Sequence, residues 1–239
     1  MIYPRIIAHR CGGALAPENT LAGLRLAGRL GCRGVEFDAI LAADGVPVLM
    51  HDETLERTTS GRGQVADMSS AQLARFDAGI PHHAAFAGEP LPTLDEALRL
   101  CAELGLWANV EIKPAAGQEA ETGYVVARHA AMAKGNLLLS SFSPQALRAA
   151  ADEAEQLPRA LLVEVIPADW RERMATTGVG ALHASARALT AEALEAVRDA
   201  GFPLACYTVN RRQDAERLFA MGVSAVFTDR PDLWLPAEM

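Results

Sequence analysis

The chain has 239 residues, is 50% hydrophobic, and carries 22 Lys and Arg against 30 Asp and Glu, for a net charge of −8. That length and apolar content suffice for one large core, and the acidic balance excludes a general binder of nucleic-acid backbone while leaving room for a local pocket that holds one small phosphate. Four cysteines, Cys11, Cys32, Cys101 and Cys206, lack C-x-x-C spacing and read as reduced thiols of a cytoplasmic protein. The apolar run after Met1 is too short for a signal peptide, and no segment reaches the roughly 20 apolar residues of a membrane span, so the expectation is a protein without stable membrane association.

In chain order, Arg5 to His9 reads as a short buried strand, followed by a glycine loop and a helix opened by Pro17-Glu-Asn-Thr and stopped by Gly31. Gly34 to Asp52 then gives two strand-like arms flanking Asp44-Gly45, the signal of a two-residue hairpin turn. With that turn, Ile40 faces Leu49 and Asp38 faces His51, so Glu36, Asp38 and His51 project to one side. Two carboxylates and an imidazole on one face call for a compensating charge, most simply a hard divalent metal ion.

After Asp52 the pattern loosens until about residue 92, with one short capped helix near Ser69, and this stretch reads as a small inserted subdomain. From Thr93 helices and strands alternate strictly, with strands at Trp107 to Lys113, Leu137 to Ser141, Arg159 to Val165, Val179 to His183, Pro203 to Val209 and Val223 to Thr228. Counting the first strand and that of Glu36, eight βα units in this length predict a (β/α)8 TIM barrel spanning residues 1–239 as one domain. An open doubly wound sheet is the runner-up, but no Gly-x-Gly-x-x-Gly follows the first strand.

In such a barrel chemistry sits at the C-terminal ends of the strands, where His9-Arg10, Glu36, Asp38, Glu111, Lys113, Ser141, His183, Tyr207 and Asp229 collect. Alternation along Asn109-Val-Glu-Ile-Lys113 brings Glu111 beside the first two acids. Glu36, Asp38 and Glu111 form an all-oxygen donor set suited to Mg²⁺ or Ca²⁺, although any one of them alone reads better as an exposed strand-end charge. Arg10 and Lys113 are the anion binders, or else salt-bridge partners of the same acids. His9 and His51, each beside a charged neighbour, suit paired acid and base work. His183 either lines the pocket or caps a strand, while His82, His83 and His129 read as surface or loop residues.

The ordered set His9-Arg10, Pro17-Glu18-Asn19-Thr20, Glu36-x-Asp38, His51-Asp52, Leu55-x-Arg57-Thr58, Glu111-Ile112-Lys113, Tyr207-Thr208-Val209-Asn210 and Thr228-Asp229-x-Pro231 resembles the glycerophosphodiester phosphodiesterases over essentially the whole chain, closest to the bacterial cytosolic enzymes. The resemblance implies His9 and His51 as the catalytic pair, Glu36, Asp38 and Glu111 as divalent-metal ligands, and Arg10 and Lys113 as phosphate contacts. It implies cleavage of a glycerol phosphodiester to glycerol 3-phosphate and an alcohol, by attack of the glycerol 2-hydroxyl and opening of a cyclic phosphate by water. Lysophospholipid hydrolysis of the phospholipase D type is the alternative on the same barrel, and a silent barrel that only binds a phosphate ligand is a third reading. Cys11 stands where the family usually has Gly, which predicts a turn shifted toward Gly12-Gly13 and an oxidisable thiol near the pocket. Tyr207 replaces the commoner Trp.

Overall fold

The computed structural model describes residues 3–234; Met1 and Ile2, the start of the N-terminal stretch read above, lie outside the described residues, as do 235–239. Strand β1 (Ile6–Ala8) is followed by helix α1 (Leu21–Leu30), then by the hairpin β2 (Gly34–Leu41) and β3 (Pro47–Leu49). Short helix α2 (Ser70–Leu73) lies in the inserted stretch. There follow α3 (Leu94–Leu104), β4 (Trp107–Ile112), α4 (Glu119–Met132), β5 (Leu137–Ser141), α5 (Pro144–Glu153), β6 (Arg159–Val163), α6 (Trp170–Thr177), β7 (Ala181–Ser185), α7 (Ala191–Asp199), β8 (Leu204–Tyr207), α8 (Arg212–Ala220) and β9 (Ala225–Thr228). Pairing runs β1-β9-β8-β7-β6-β5-β4-β2-β3, and an additional β1–β2 pairing closes the eight parallel strands into a TIM barrel, with β3 antiparallel outside the ring.

The helices begin and end where side-chain chemistry dictates. Thr93 caps α3 by accepting from the Glu96 amide while Glu96 answers the Thr93 amide, and α3 stops at Gly105. At α1 the expected start moves: Thr20 is the cap, accepting from the Gly23 amide, and Pro17 to Asn19 stay outside the helix, with Asn19 in the left-handed region at φ 57°. Each helix lays its apolar stripe on the strands, and this shell between helices and sheet, with Leu24, Phe37 and Leu94 fully buried, is the main core. Complete burial of side chains of that size is worth about 1.5–3 kcal/mol each. Inside the ring the residues are smaller. Ala160, Ala181, Ala205 and Ala225 come from successive strands, and Tyr3, Ile7, Leu138 and Phe227 fill the space between them, so the barrel floor is plugged and its mouth is open.

The hairpin differs from its expected register by one residue. Ala39 faces Leu49 and Ile40 faces Val48, and the turn is a three-residue loop, Ala43-Asp44-Gly45, in which the Ala42 amide donates to Val46 O and Gly45 adopts φ 73°. This is the bulged three-residue alternative to a two-residue turn, and Gly at the left-handed position serves both. Asp38 therefore pairs with Met50, whose amide donates to Asp38 O at 3.1 Å, not with His51. His51 reaches the site because the chain turns in after β3, not by cross-strand alternation. The stretch between β3 and α3 has its own apolar centre, with Leu55, Val65, Leu73 and Leu91 packed on Ile40 and Val48 of the hairpin.

Candidate active site

Three short loops set the geometry at the mouth. After β1 the backbone turns sharply, with Arg10 at φ 49° and Cys11 at φ 75°, and this aims the Arg10 amide at Glu36 Oε2, 2.8 Å away. Non-glycine residues in this region are strained, and such strain collects where a site requires it. The expected shift of the turn onto Gly12-Gly13 is not what occurs, since Cys11 itself takes the left-handed conformation; Gly13, at φ 61°, is needed for a different reason, because a Cβ there would stand 2.4 Å from Asp229 O. Nor is Cys11 a thiol of the pocket: it is completely buried, and burial holds its pKa well above the ordinary value.

β2 and β4 run in parallel register with Asp38 beside Glu111 and Glu36 beside Asn109. Glu36, Asp38 and Glu111 thereby converge, with one carboxylate oxygen of each within 4.8 Å of the others. Asp38 is fixed by Asn19, whose Nδ2 donates to Asp38 Oδ2 at 2.8 Å and whose Oδ1 accepts from the Asp38 amide at 3.0 Å. Burial raises the Glu36 and Glu111 pKa values, and the neighbouring Asp38 carboxylate raises both further. Glu36 Oε1 is buried with no hydrogen-bond partner. A carboxylate triad that is self-repelling, with two of its members buried and one oxygen left unmatched, fits a hard divalent cation.

The two imidazoles flank this triad in matching arrangements. His9 Nδ1 donates to Asp229 Oδ1 at 2.7 Å and leaves Nε2 3.8 Å from Glu36 Oε2. His51 Nδ1 donates to Asp52 Oδ1 at 2.6 Å, and its Nε2 accepts from Lys113 Nζ at 3.2 Å. Their environments push them apart. Burial alone would lower the His9 pKa, but the Asp229 hydrogen bond and the Glu36 charge outweigh it and raise it. At His51 burial lowers the pKa, and the Arg10 and Lys113 charges carry it below the ordinary value despite Asp38 and Asp52.

Arg10 and Lys113 stand on the same rim, Arg10 Nη1 donating to Glu18 Oε1 at 3.0 Å and Lys113 Nζ lying 3.5 Å from Glu111 Oε1. Together these groups line a cavity of about 280 Å³, closed below by Leu162, His183 and Phe227. It adjoins a chamber of about 660 Å³ between the inserted stretch and the loops after β6 to β9, lined by Arg57, His82, Glu164, Arg187 and Asn210 among others. His9, Arg10, Tyr207 and Thr208 are common to both.

All seven residues singled out from the sequence thus meet in one cavity. Tyr207 and His183 also line it, whereas Ser141, His83 and His129 do not. Ser141 spends its hydroxyl on Ile112 O at 2.7 Å, His83 accepts from the Ala85 amide at 3.0 Å, and His129 pairs with Asp95 at 2.8 Å. His183 is part of the floor, fully buried against Tyr3 Oη at 3.0 Å, and burial drives its pKa down to about 3. His82 faces the outer chamber. The supporting partners were not assigned from the sequence: Asp229 and Asp52 on the imidazoles, Asn19 on Asp38, and Asn210, whose Nδ2 donates to Asp229 Oδ2 at 2.8 Å. In the sequence Asp229 stands out as a polar strand-end residue, and Asp52, Asn19 and Asn210 only as members of short motifs.

Comparison with known proteins gives the same answer from another direction. Residues 9–233 match the model of the glycerophosphoryl diester phosphodiesterase family. A glycerophosphodiester phosphodiesterase of Caldanaerobacter subterraneus subsp. tengcongensis is 34% identical over 95% of this chain and 94% of its own, and one from Bacillus subtilis is 31% identical over 95% and 84%. Among solved structures, a phosphodiesterase of Oleispira antarctica in complex with the product sn-glycerol-3-phosphate superposes with a TM-score of 0.93 at 35% identity, covering 96% of this chain and 94% of the other. With the barrel, the carboxylate triad and this likeness along almost its full length, the chain belongs to the glycerophosphoryl diester phosphodiesterase family and is an enzyme of that kind.

Proposed function

We propose that this enzyme cleaves glycerophosphodiesters to sn-glycerol 3-phosphate and an alcohol, with a divalent ion held by Glu36, Asp38 and Glu111 and with His51 and His9 as base and acid. The observation that carries the reading is the carboxylate triad, within 4.8 Å and with an unmatched Glu36 oxygen, set between two imidazoles that each have Nδ1 tied to an aspartate. The product found in the Oleispira relative supports the glycerol phosphate half of the substrate. Oxygen-only donors suit Mg²⁺ or Ca²⁺, and such an ion, when bound, supplies neutralisation of charge on the phosphate oxygens.

The rest is done by side chains. Arg10 offers its fork, and Lys113 a remaining N–H, to the anionic oxygens of the diester. His51, unprotonated at Nε2 and released by Lys113 as the ammonium turns to the diester, takes the proton of the glycerol 2-hydroxyl as that oxygen bonds to phosphorus. His9, protonated at Nε2, gives its proton to the alkoxide as the P–O bond to the alcohol breaks. In the second step the roles reverse, His9 taking a proton from water and His51 returning one to the 2-oxygen as the cyclic phosphate opens. Asp52 and Asp229 hold the two tautomers that this exchange needs.

The outer chamber, lined by Arg57, His82, Glu164 and Arg187, supports a small polar alcohol over the acyl chain of a lysophospholipid. The reading also takes residues 1–239 as one phosphodiesterase domain with an insertion at about 53–92, working in the cytoplasm. Support for the latter comes from the free, buried state of Cys11, Cys32, Cys101 and Cys206, while no helix among the described residues is long and apolar enough to cross a membrane. The test is glycerol 3-phosphate release from a panel of glycerophosphodiesters after chelation and readdition of Mg²⁺ or Ca²⁺. Release that stops with chelator and returns with either ion is expected; undiminished release in chelator, or faster cleavage of lysophospholipids than of deacylated diesters, would overturn it.

A further inference from the structure

Leu55-x-Arg57-Thr58 is a motif whose purpose the chemistry above does not use, and its arginine is the inserted stretch's link to the site. Arg57 donates to two carboxylates at once. Its Nε and Nη2 reach Asp52 Oδ2 at 2.5 Å and Oδ1 at 3.0 Å, while its Nη1 and Nη2 reach Glu18 Oε2 and Oε1, both at 2.8 Å. Asp52 is the partner of His51, and Glu18 is the partner of Arg10. An unbroken chain of charged hydrogen bonds therefore runs Arg10, Glu18, Arg57, Asp52, His51 and Lys113, and Lys113 forms an ion pair with Glu111 at 3.5 Å. Arg10 comes from the end of β1 and His51 from the end of the hairpin, and Arg57 joins these two arms from above.

We propose that Arg57 is a positioning residue: by clamping Glu18 and Asp52 it holds the Arg10 guanidinium and the His51 ring in one fixed relation over the carboxylate triad. This rests on the function proposed above. The donor inventory favours positioning over substrate contact. A guanidinium has five N–H groups, and four of those on Arg57 are already committed to Asp52 and Glu18. Arg187, which lines the same chamber, has no such commitments among the described contacts. The fork geometry also matters, since two carboxylates about a planar guanidinium can be held at fixed angles in a way that an ammonium point charge cannot reproduce. The four hydrogen bonds of Arg57 itself go to Asp52 and Glu18 and to none of Glu36, Asp38 and Glu111, so the clamp is separable from the holding of an ion.

The experiment compares Arg57→Ala and Arg57→Lys with the unsubstituted enzyme in kcat, KM and Mg²⁺-induced thermal shift, together with Asp52→Asn and Glu18→Gln and the double variants R57A/D52N and R57A/E18Q. Expected for R57A is a loss of roughly ten- to hundredfold in kcat/KM, as for outer partners of a metal-centred site, with the Mg²⁺ thermal shift unchanged. R57K stays low, guanidinium ion added to R57A restores part of kcat, and each double variant loses less than the product of its single losses. Activity of R57A within twofold of the unsubstituted enzyme, full recovery in R57K, or strictly multiplicative losses with both partners would overturn the proposal. Because an inactive unsubstituted enzyme would instead refute the proposed reaction, the same variants are read by NMR. The His51 Nδ1 proton, hydrogen-bonded to Asp52, is observable in the unsubstituted protein and lost in R57A if Arg57 positions the pair, and equally present in both if it does not.

Discussion

His9 and Asp229 stand 220 positions apart in the chain and 2.7 Å apart in space, because they follow the C-terminal ends of β1 and β9, the first and last barrel strands, which pair in parallel. Asn210 holds the far oxygen of that aspartate and also accepts from the Asp229 amide at 2.8 Å, so the carboxylate has no freedom to turn away. Asp229→Asn keeps the shape of the pair and removes the charge that stabilises a protonated His9. The expected outcome is a fall in kcat of roughly ten- to hundredfold with the Mg²⁺-induced thermal shift intact, measured by steady-state kinetics and calorimetry. Asn210→Ala should lose less than Asp229→Asn, because it loosens the carboxylate without discharging it.

The opposite displacements of the two imidazoles fix the sign of the pH profile. His51 must be unprotonated, and its pKa lies below 6.5, so kcat/KM rises as pH climbs through that acid-side value. His9 must be protonated, and its pKa lies above 6.5, so kcat/KM falls as pH passes it on the alkaline side. The profile is therefore a bell, its alkaline limb supported by the Asp229–His9 hydrogen bond, and D229N moves that limb to lower pH. A profile rising monotonically to pH 9 would exclude His9 as the acid.

Burial and the Asp38 charge raise the Glu36 and Glu111 pKa values in the ion-free protein. Folded carboxylates with raised pKa hold protons that the unfolded chain has released, so the stability they contribute is lost as pH climbs from about 4.5 through their folded values. A cation competes with those protons. The Tm increase caused by a fixed concentration of Mg²⁺ should accordingly grow between pH 5.5 and pH 8, and Glu36→Gln should abolish most of it. Differential scanning calorimetry at three pH values with and without chelator measures this, and a pH-independent increase would contradict it.

His183 makes the acid side of the stability curve steeper. Its folded pKa is depressed to about 3 by burial among Tyr3 and Phe227, against an ordinary value of 6.5, so the unfolded chain binds the proton first. Stability is then full above the unfolded pKa and falls as pH drops toward 3, by about 1.4 kcal/mol per unit for a single proton. His183→Gln, which cannot titrate, should show a smaller loss than the unsubstituted protein between pH 7 and pH 5, by about 2 kcal/mol in urea unfolding. Equal losses in the two proteins would mean that the buried imidazole is not the group responsible.

Periodicity and punctuation made the eight strands, their helices and the inserted stretch readable from the residues alone, because each depends on local propensity and on which face is apolar. The same alternation brought Glu36, Asp38 and Glu111 to one side, since parallel register between β2 and β4 preserves it. The hairpin register was not readable in this way. Asp44-Gly45 marks a turn, yet Gly at positive φ serves a two-residue loop and a bulged three-residue loop alike, and only the ladder selects Ala39 opposite Leu49. Cys11 at φ 75° illustrates the same limit, because side-chain burial and the Arg10 amide bond to Glu36 outweigh a preference that favours Gly.

By itself the sequence determined which chemistry-bearing residues the barrel would present and on which strands, because side-chain type and spacing act over a few residues. Tertiary structure alone decided how those residues are held: Asp229 against His9, Asn19 against Asp38, and Arg57 between Glu18 and Asp52. These are meetings of loop with loop, or in the case of Asn19 and Asp38 of loop with strand, at the barrel mouth. No local periodicity encodes them, since they exist only once ring closure has brought distant strand ends within hydrogen-bonding distance.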